Sequence, residues 1–454
     1  MRIGWTLILL AACHGKDETT TTSTDSAEPC DPVAQTGCTA GTVCEEVVGG
    51  EPECFAPLSI QGCVFDTSDD DPIAEARVVA RDPNGAAVSE VAVSGVDGRF
   101  SLRIPAPRDA EGNPVGDVAY TLRADAMAYL PFPKAPRSAL PIDLSQASGD
   151  PPVIENASTD LGLIPLPDTS GLGAIAGTVQ TLLPGGTLVV AGGATGVADR
   201  DGSFVVFNVA AGSVEVQGYR VGVNLAPQTV AVTAGETTGG VTLTGAGEAS
   251  AVVSGTVQIV NAPGGSLTSV ILVVEDTFDA AAIRGEAPPG LRVGDVGGDW
   301  SIEGVPDGDY VVLAAYENDL LVRDPDTSIG GTDIVRVTVA GGDQSVPGFK
   351  VTEALAVISP GADLAEAVTE APTLTFEDDS SEQAYHVEVY DALGVKVWET
   401  TGDFDPGGSK PVEVPYEGPL EPGMVYQFRA TSLDRDQVPL STTEDLLGVF
   451  FLEP

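Results

Sequence analysis

Six cysteines, two histidines and 67 carboxylates are the side chains of this 454-residue sequence best equipped to ligate, attack or transfer protons. The histidines, His14 and His386, are far apart in sequence, and His386 falls on a predicted exposed strand face. Two histidines are therefore not expected to converge on one metal in a folded core. Neither the serine-hydrolase elbow Gly-x-Ser-x-Gly nor the phosphate loop Gly-x-x-x-x-Gly-Lys occurs. Gly171-Leu172-Gly173-Ala174-Ile175-Ala176-Gly177 approaches a dinucleotide fingerprint, but its last spacing is wrong and it opens a strand where the fingerprint needs a helix. A glycosidase built on two carboxylates distant in sequence is the alternative from another class. The expectation is a protein with no catalytic residue, no metal and no cofactor.

The first cysteine calls for different chemistry. Arg2 supplies a positive start and Trp5 to Leu10 an apolar run, the grammar of a secretion signal. Leu10-Ala11-Ala12-Cys13 then resembles the bacterial lipobox, the site of lipoprotein processing. The resemblance implies a signal peptide over 1–12, a diacylglycerol thioether on Cys13, and a tether over 13–29, which is rich in Thr, Ser and charge and has little to bury. It also implies a membrane partner, and because His14 is not aspartate, retention at the outer membrane. No apolar run approaches the roughly 20 residues of a spanning helix.

Cys30, Cys38, Cys44 and Cys54 lie in a segment, 30–58, too short for a hydrophobic core, and an exported chain meets an oxidising compartment. Two disulfides among these four are expected, with three connectivities open. Cys63 is left over. Zinc is the alternative, but the spacing lacks any Cys-x-x-Cys pair.

A net charge of −46 opposes phosphate backbones and excludes nucleic acid as a partner. Gly and Pro number 54 and 34, which favours short strands and dense turns.

The elements that carry these residues repeat. Gly62-Cys63-Val64, Gly177-Thr178-Val179 and Gly255-Thr256-Val257 each open an alternating apolar segment. Asp97-Gly98-Arg99-Phe100, Asp201-Gly202-Ser203-Phe204 and Gly298-Asp299-Trp300 follow, a turn that leads an aromatic residue into a core. From the aromatic residue, Val209, Gly212 and Val214 match Val305, Gly308 and Tyr310 offset for offset. The sequence thus predicts an all-β chain of tandem β-sandwich modules after a small disulfide-stapled N-terminal segment.

This pattern resembles the carboxypeptidase regulatory-like domain, a transthyretin-like sandwich related to carbohydrate-binding-like folds. The resemblance implies three copies, over 59–167, 172–247 and 248–352, with accessory, interaction or glycan-binding roles. Asp160–Ile164, Val230–Glu236 and Val337–Gly342 are read as closing strands, and Pro151-Pro152 and Gly245–Gly247 as linkers. Residues 353–454 resemble a fibronectin type III or Ig-like domain, with Tyr385, Val387 and Val389 on an inner face and His386 and Glu388 outside.

Ligand signals are few. Asp69-Asp70-Asp71, Asp199-Arg200-Asp201, Asp307-Gly308-Asp309, Asp324-Pro325-Asp326 and Asp434-Arg435-Asp436 gather carboxylates in turns, where calcium is the functional reading and turn capping with solubility the favoured one. Trp300 and Trp398 read as packing. Tyr129 and Phe132, in the long insertion of the first repeat, form the one aromatic pair expected to be exposed for ligand contact, although a loop folding over the sandwich edge is preferred. Envelope glycans or surface proteins are the expected partners.

Overall fold

The computed structural model describes residues 30 to 453, except 33, 116 to 118, 135, 136, 281, 315 to 318, 326 to 330, 380, 381 and 405 to 409. Cys13 and His14 lie outside the described residues.

Four β-sandwich modules follow a small stapled hairpin. In the hairpin, Val43–Glu45 pairs with Glu53–Phe55, and Cys30–Cys44 and Cys38–Cys54 are bridged while Cys63 is a free thiol.

The first three modules share one plan. An opening strand (Leu58–Asp66, Leu172–Gln180 or Ala251–Val260) pairs antiparallel with an aromatic strand (Arg99–Ile104, Ser203–Ala210 or Asp299–Val305). The register sets Gly62 opposite Phe100, Gly177 opposite Phe204 and Gly255 opposite Trp300. On its other edge each opening strand takes a parallel closing strand: Val153–Ile154 then Leu161–Leu163, Thr237–Glu248, and Gln344–Ser345 then Phe349–Glu353. Period-two alternation places the core: Leu58–Asp66 alternates buried and half-buried residues along its nine positions, so Leu58, Ile60 and Val64 meet Phe100, Leu102 and Ile104.

Three expected details change. Val230–Val232 and Val337–Val339 pair with Gly212–Arg220 and Gly308–Ala314 in the opposite layer, so only the Asp160–Ile164 segment supplies a closing strand as predicted. Gly245–Gly247 belongs to the strand Thr237–Glu248, where it pairs with Val223–Leu225 and joins the second module's two layers into one eight-stranded sheet. Pro151-Pro152 lies inside the first module, directly before the strand Val153–Ile154. In the last two cases composition signals a break, but the residues lie in or beside strands whose neighbours supply backbone partners.

The fourth module sets Val357–Ser359, Thr373–Phe376 and Val412–Pro415 against a six-stranded sheet. Tyr385, Val387 and Val389 are fully buried there with Phe376 and Phe428.

The modules do not trail one after another as a string. Thr268–Val274 is buried along its whole length: Val270, Leu272 and Val274 face the third module's core, while Ile271 and Val273 pack in a second cluster with Ala86 of the first. Leu188, Val190 and Tyr219 of the second module join the third module's core, with Tyr219 edge-on to Tyr310 at 5.9 Å.

Candidate functional site

The centre of the assembly is the second layer of the first module, where Arg77–Arg81 pairs with Thr121–Asp125. Alternation turns Val78, Ala80, Leu122 and Ala124 into the core, and Arg77, Arg81, Arg123 and Asp125 outward. That outward face reads as solvated, yet neighbouring modules cover it and Arg123 is 1% exposed.

Its arginines are satisfied across module boundaries. Arg123 donates to both Asp125 oxygens at 2.6 and 2.8 Å, to Glu286 Oε2 at 2.6 Å and to Thr195 Oγ1 at 2.6 Å. Arg81 donates to the same Glu286 oxygen at 2.5 Å. Burial pushes the Glu286 carboxyl up, but the guanidiniums of Arg123 and Arg81 outweigh it and hold the group below its ordinary range. Arg77 reaches the carbonyls of Val197 and Ser203 in the second module, and Arg137 donates to the Leu393 carbonyl of the fourth at 2.8 Å.

Where the first, third and fourth modules meet they leave a cavity of about 830 Å³. Ile271, Val273 and Leu313 form apolar wall, and Arg81, Lys134, Arg137, Arg284, Arg323 and Arg429 bring cations to it. Arg284 and Arg429 both pair with Asp445, Arg429 at 3.4 Å. Burial, and then repulsion from Arg284, bring the Arg429 guanidinium down to about 10. Among the described residues the cavity has no histidine and no cysteine, so it offers no imidazole-activated nucleophile.

Tyr129 and Phe132 are not an exposed pair. Phe132 is 2% exposed in the first module's core, with the Arg137 guanidinium 4.7 Å from its ring centre, and half-buried Tyr129 donates its hydroxyl to Asp66 at 3.0 Å. The insertion reaches the cavity through Pro133, Lys134 and Arg137 instead. Sequence reasoning missed Arg81, Arg123 and Glu286. The available signal was the alternation of arginines with apolar residues along Arg77–Arg81 and Thr121–Asp125.

The acidic turns mostly serve their own backbone. Asp69 accepts from the Asp71 N–H, Asp201 from Ser203, Asp434 from Asp436 and Val438, and Asp307 from Gly341. Asp199 accepts from Val91 of the first module, and Asp324 pairs with Lys350 in a buried setting at 3.1 Å. Asp326 lies outside the described residues. His386, Glu388 and Glu399 stand close enough to share a cation, and Lys396 supplies one, 3.0 Å from Glu388 and 2.6 Å from Glu399. The Trp300 ring is buried, and Trp398 packs edge-on to Tyr416 at 5.3 Å. Burial, reinforced by the Asp160 carboxylate, pushes the Cys63 thiol up, away from the thiolate a reactive cysteine needs.

No protein-family model matches the chain, and no curated protein matches its sequence. Among solved structures, the chain is similar to the Bacillus anthracis TIE protein (10% identity, 83% of this chain and 68% of that one, TM-score 0.17). It is also similar to two B repeat units of the collagen-binding protein of Staphylococcus aureus (11% identity, 85% and 98% covered, TM-score 0.16). A third is a DUF3823 family protein from Bacteroides uniformis (12% identity, 43% and 97% covered, TM-score 0.20). TM-scores this low assign neither ligand nor role to this chain.

Proposed function

We propose that this is a non-catalytic protein of the bacterial cell envelope, held to the outer membrane by a lipid on Cys13. Its modules brace one another and bind a glycan or surface protein in adhesion or scaffolding. One observation carries the reading. The first module makes polar contacts with each of the other three, through Arg123 to Thr195, Arg81 to Glu286 and Arg137 to Leu393. Four sandwiches pinned to one another, three of them around a shared cleft, present a rigid surface, and rigidity lowers the ordering cost of binding.

The stapled hairpin suits an oxidising compartment. The glycine-to-aromatic register and parallel closing strand, common to three modules, support their reading as carboxypeptidase regulatory-like domains. The fourth module's two layers support a fibronectin type III or Ig-like one.

Fractionation of cells carrying the wild type or Cys13→Ser, with mass spectrometry of the N-terminal peptide, tests the anchor. Each buried lipid methylene contributes about 0.8 kcal/mol, so two or more acyl chains hold stably and their loss releases the protein. An unmodified Cys13, or a variant that stays with membranes through a salt wash, overturns it. Saturable capture of envelope glycans or surface proteins by the detergent-solubilised full chain is expected. Glycoside turnover that disappears on substitution of one carboxylate overturns the non-catalytic reading.

A further inference from the structure

We propose that the cavity between the first, third and fourth modules is a binding site for a small organic oxyanion, a molecule presenting a carboxylate or phosphate group to Arg284 and Arg429. The proposal deepens the binding reading above and rests on it.

The first argument is charge. Six of the chain's 21 lysines and arginines line this one cavity, against five of its 67 carboxylates. The cavity lining is near balance with a slight excess of cations, in a molecule whose net charge is −46. A concave site with apolar walls focuses such a field and raises the local concentration of a small anion.

The second argument is the state of the cations. Arg284 and Arg429 converge on Asp445. Arg429 also donates through Nε and Nη2 to the neutral Gln427 Oε1, at 3.2 and 3.0 Å. Burial first and then Arg284 lower the Arg429 pKa, with Tyr390 and Glu388 opposing them, and an oxyanion lying against both guanidiniums would offset the repulsion between the two cations. Arg137, 8% exposed, donates its hydrogen bonds to the carbonyls of Leu393 and Gly162 and lies against the face of Phe132, with the Asp391 carboxylate acting on it electrostatically. Arg323 likewise donates to the Thr332 carbonyl. Fixed guanidinium forks match the geometry of carboxylate and phosphate oxygens.

The third argument is shape and lining. A volume of about 830 Å³ exceeds an inorganic ion and falls in the range of small-molecule sites, roughly 300 to 1,000 Å³. Among the described residues no aromatic side chain lines it, which leaves a neutral sugar without a stacking platform. Recognition therefore runs through charge.

The test is calorimetric titration of the detergent-solubilised full chain with three probes: trigalacturonate, inorganic phosphate and neutral maltotriose. Saturable, salt-sensitive binding of trigalacturonate alone identifies a carboxylate ligand, and binding of phosphate alone a phosphate ligand. In either case Arg429→Met should weaken binding about tenfold or more, since hydrogen bonds to charged groups are at stake. Arg429 is half-buried, its side chain 20% exposed, and its substitution also removes contacts within the fourth module. Arg284→Met, at a side chain 45% exposed, provides a second variant with the same expected direction. Binding of neither anion overturns the proposal, as does maltotriose binding of equal strength, or anion binding unchanged in a folded Arg284→Met protein. Lipidation of Cys13 and capture of a surface protein depend on none of these arginines, so failure here leaves the envelope reading standing.

Discussion

Gly177 faces Phe204 across the antiparallel strands of the second module, and the ring fills the volume a side chain at 177 would need. A Cβ there would lie 2.7 Å from the ring Cζ and 2.3 Å from the Val241 carbonyl oxygen. The same crowding recurs at Gly62, 2.0 Å from the Thr159 carbonyl oxygen, and at Gly255, 2.8 Å from the Trp300 ring.

Gly177→Ala should therefore destabilise the second module by about 1–3 kcal/mol, the usual cost of overpacking, because the Val241 carbonyl belongs to a paired strand and cannot swing aside. Denaturant melts of wild type and variant measure it. An unchanged midpoint would show that the strands separate freely.

Removing the aromatic residue should cost more. Phe204→Ala and Trp300→Ala are each expected to destabilise their own module by roughly 3–5 kcal/mol. Trp300→Phe should cost much less, since among the described residues the buried Trp300 indole N–H has no acceptor to lose. Calorimetric melts that resolve module transitions test the ranking.

The stapled hairpin rests on a buried ion pair as well as its bridges. Glu45 and Arg108 side chains are 2% and 3% exposed, and Arg108 also donates to the Ala56 carbonyl at 3.0 Å. Arg108→Met should cost about 3–5 kcal/mol by stranding a buried carboxylate, and adding Glu45→Met should recover most of it. Each disulfide, closing 14 or 16 residues, should contribute about 3 kcal/mol. Reduction should open the hairpin while the sandwiches stay folded, as hydrogen exchange would report.

Glu444 makes the junction of the third and fourth modules sensitive to pH. Its Oε1 accepts from the Leu320 N–H at 2.8 Å, and burial pushes its carboxyl up to about 7 from an ordinary 4.5. A raised folded-state value means the protonated form is favoured in the native protein. The contribution is complete below about pH 4.5 and is lost as pH rises through 7. Glu444→Gln should remove that slope, measured as the difference in melting temperature between variant and wild type from pH 4.5 to 7.5.

Chelation should shift melting by less than about a few degrees relative to millimolar calcium, because a metal bound only by the native state would raise stability by mass action. The carboxylates of Asp201 and Asp434 already accept turn N–H groups. A large shift would return calcium to the acidic turns.

The sequence by itself determined what depends on neighbours along the chain. Period-two alternation located a strand at Gly62-Cys63-Val64, which in the structure begins four residues earlier at Leu58, and the inner face of Tyr385, Val387 and Val389, and a turn of Asp-Gly, or Gly298-Asp299 in the third repeat, located the core aromatic residue of each repeat. Crowded cysteines in a coreless segment required staples, although spacing left their pairing open. Tertiary structure alone decided what covers an outward face. Alternation separates Val78 and Ala80 from Arg77 and Arg81, but it cannot say whether the second set meets water or another module. Arg123, Glu286 and Thr195 come from three modules, and local pattern carries no record of that meeting. Of the two readings of the insertion that carries Phe132, the loop folding over its own sandwich is the one the burial matches, because burying the ring and the Arg137 stem removes apolar surface from water. The cavity exists only because three rigid modules with fixed faces leave a gap where they meet.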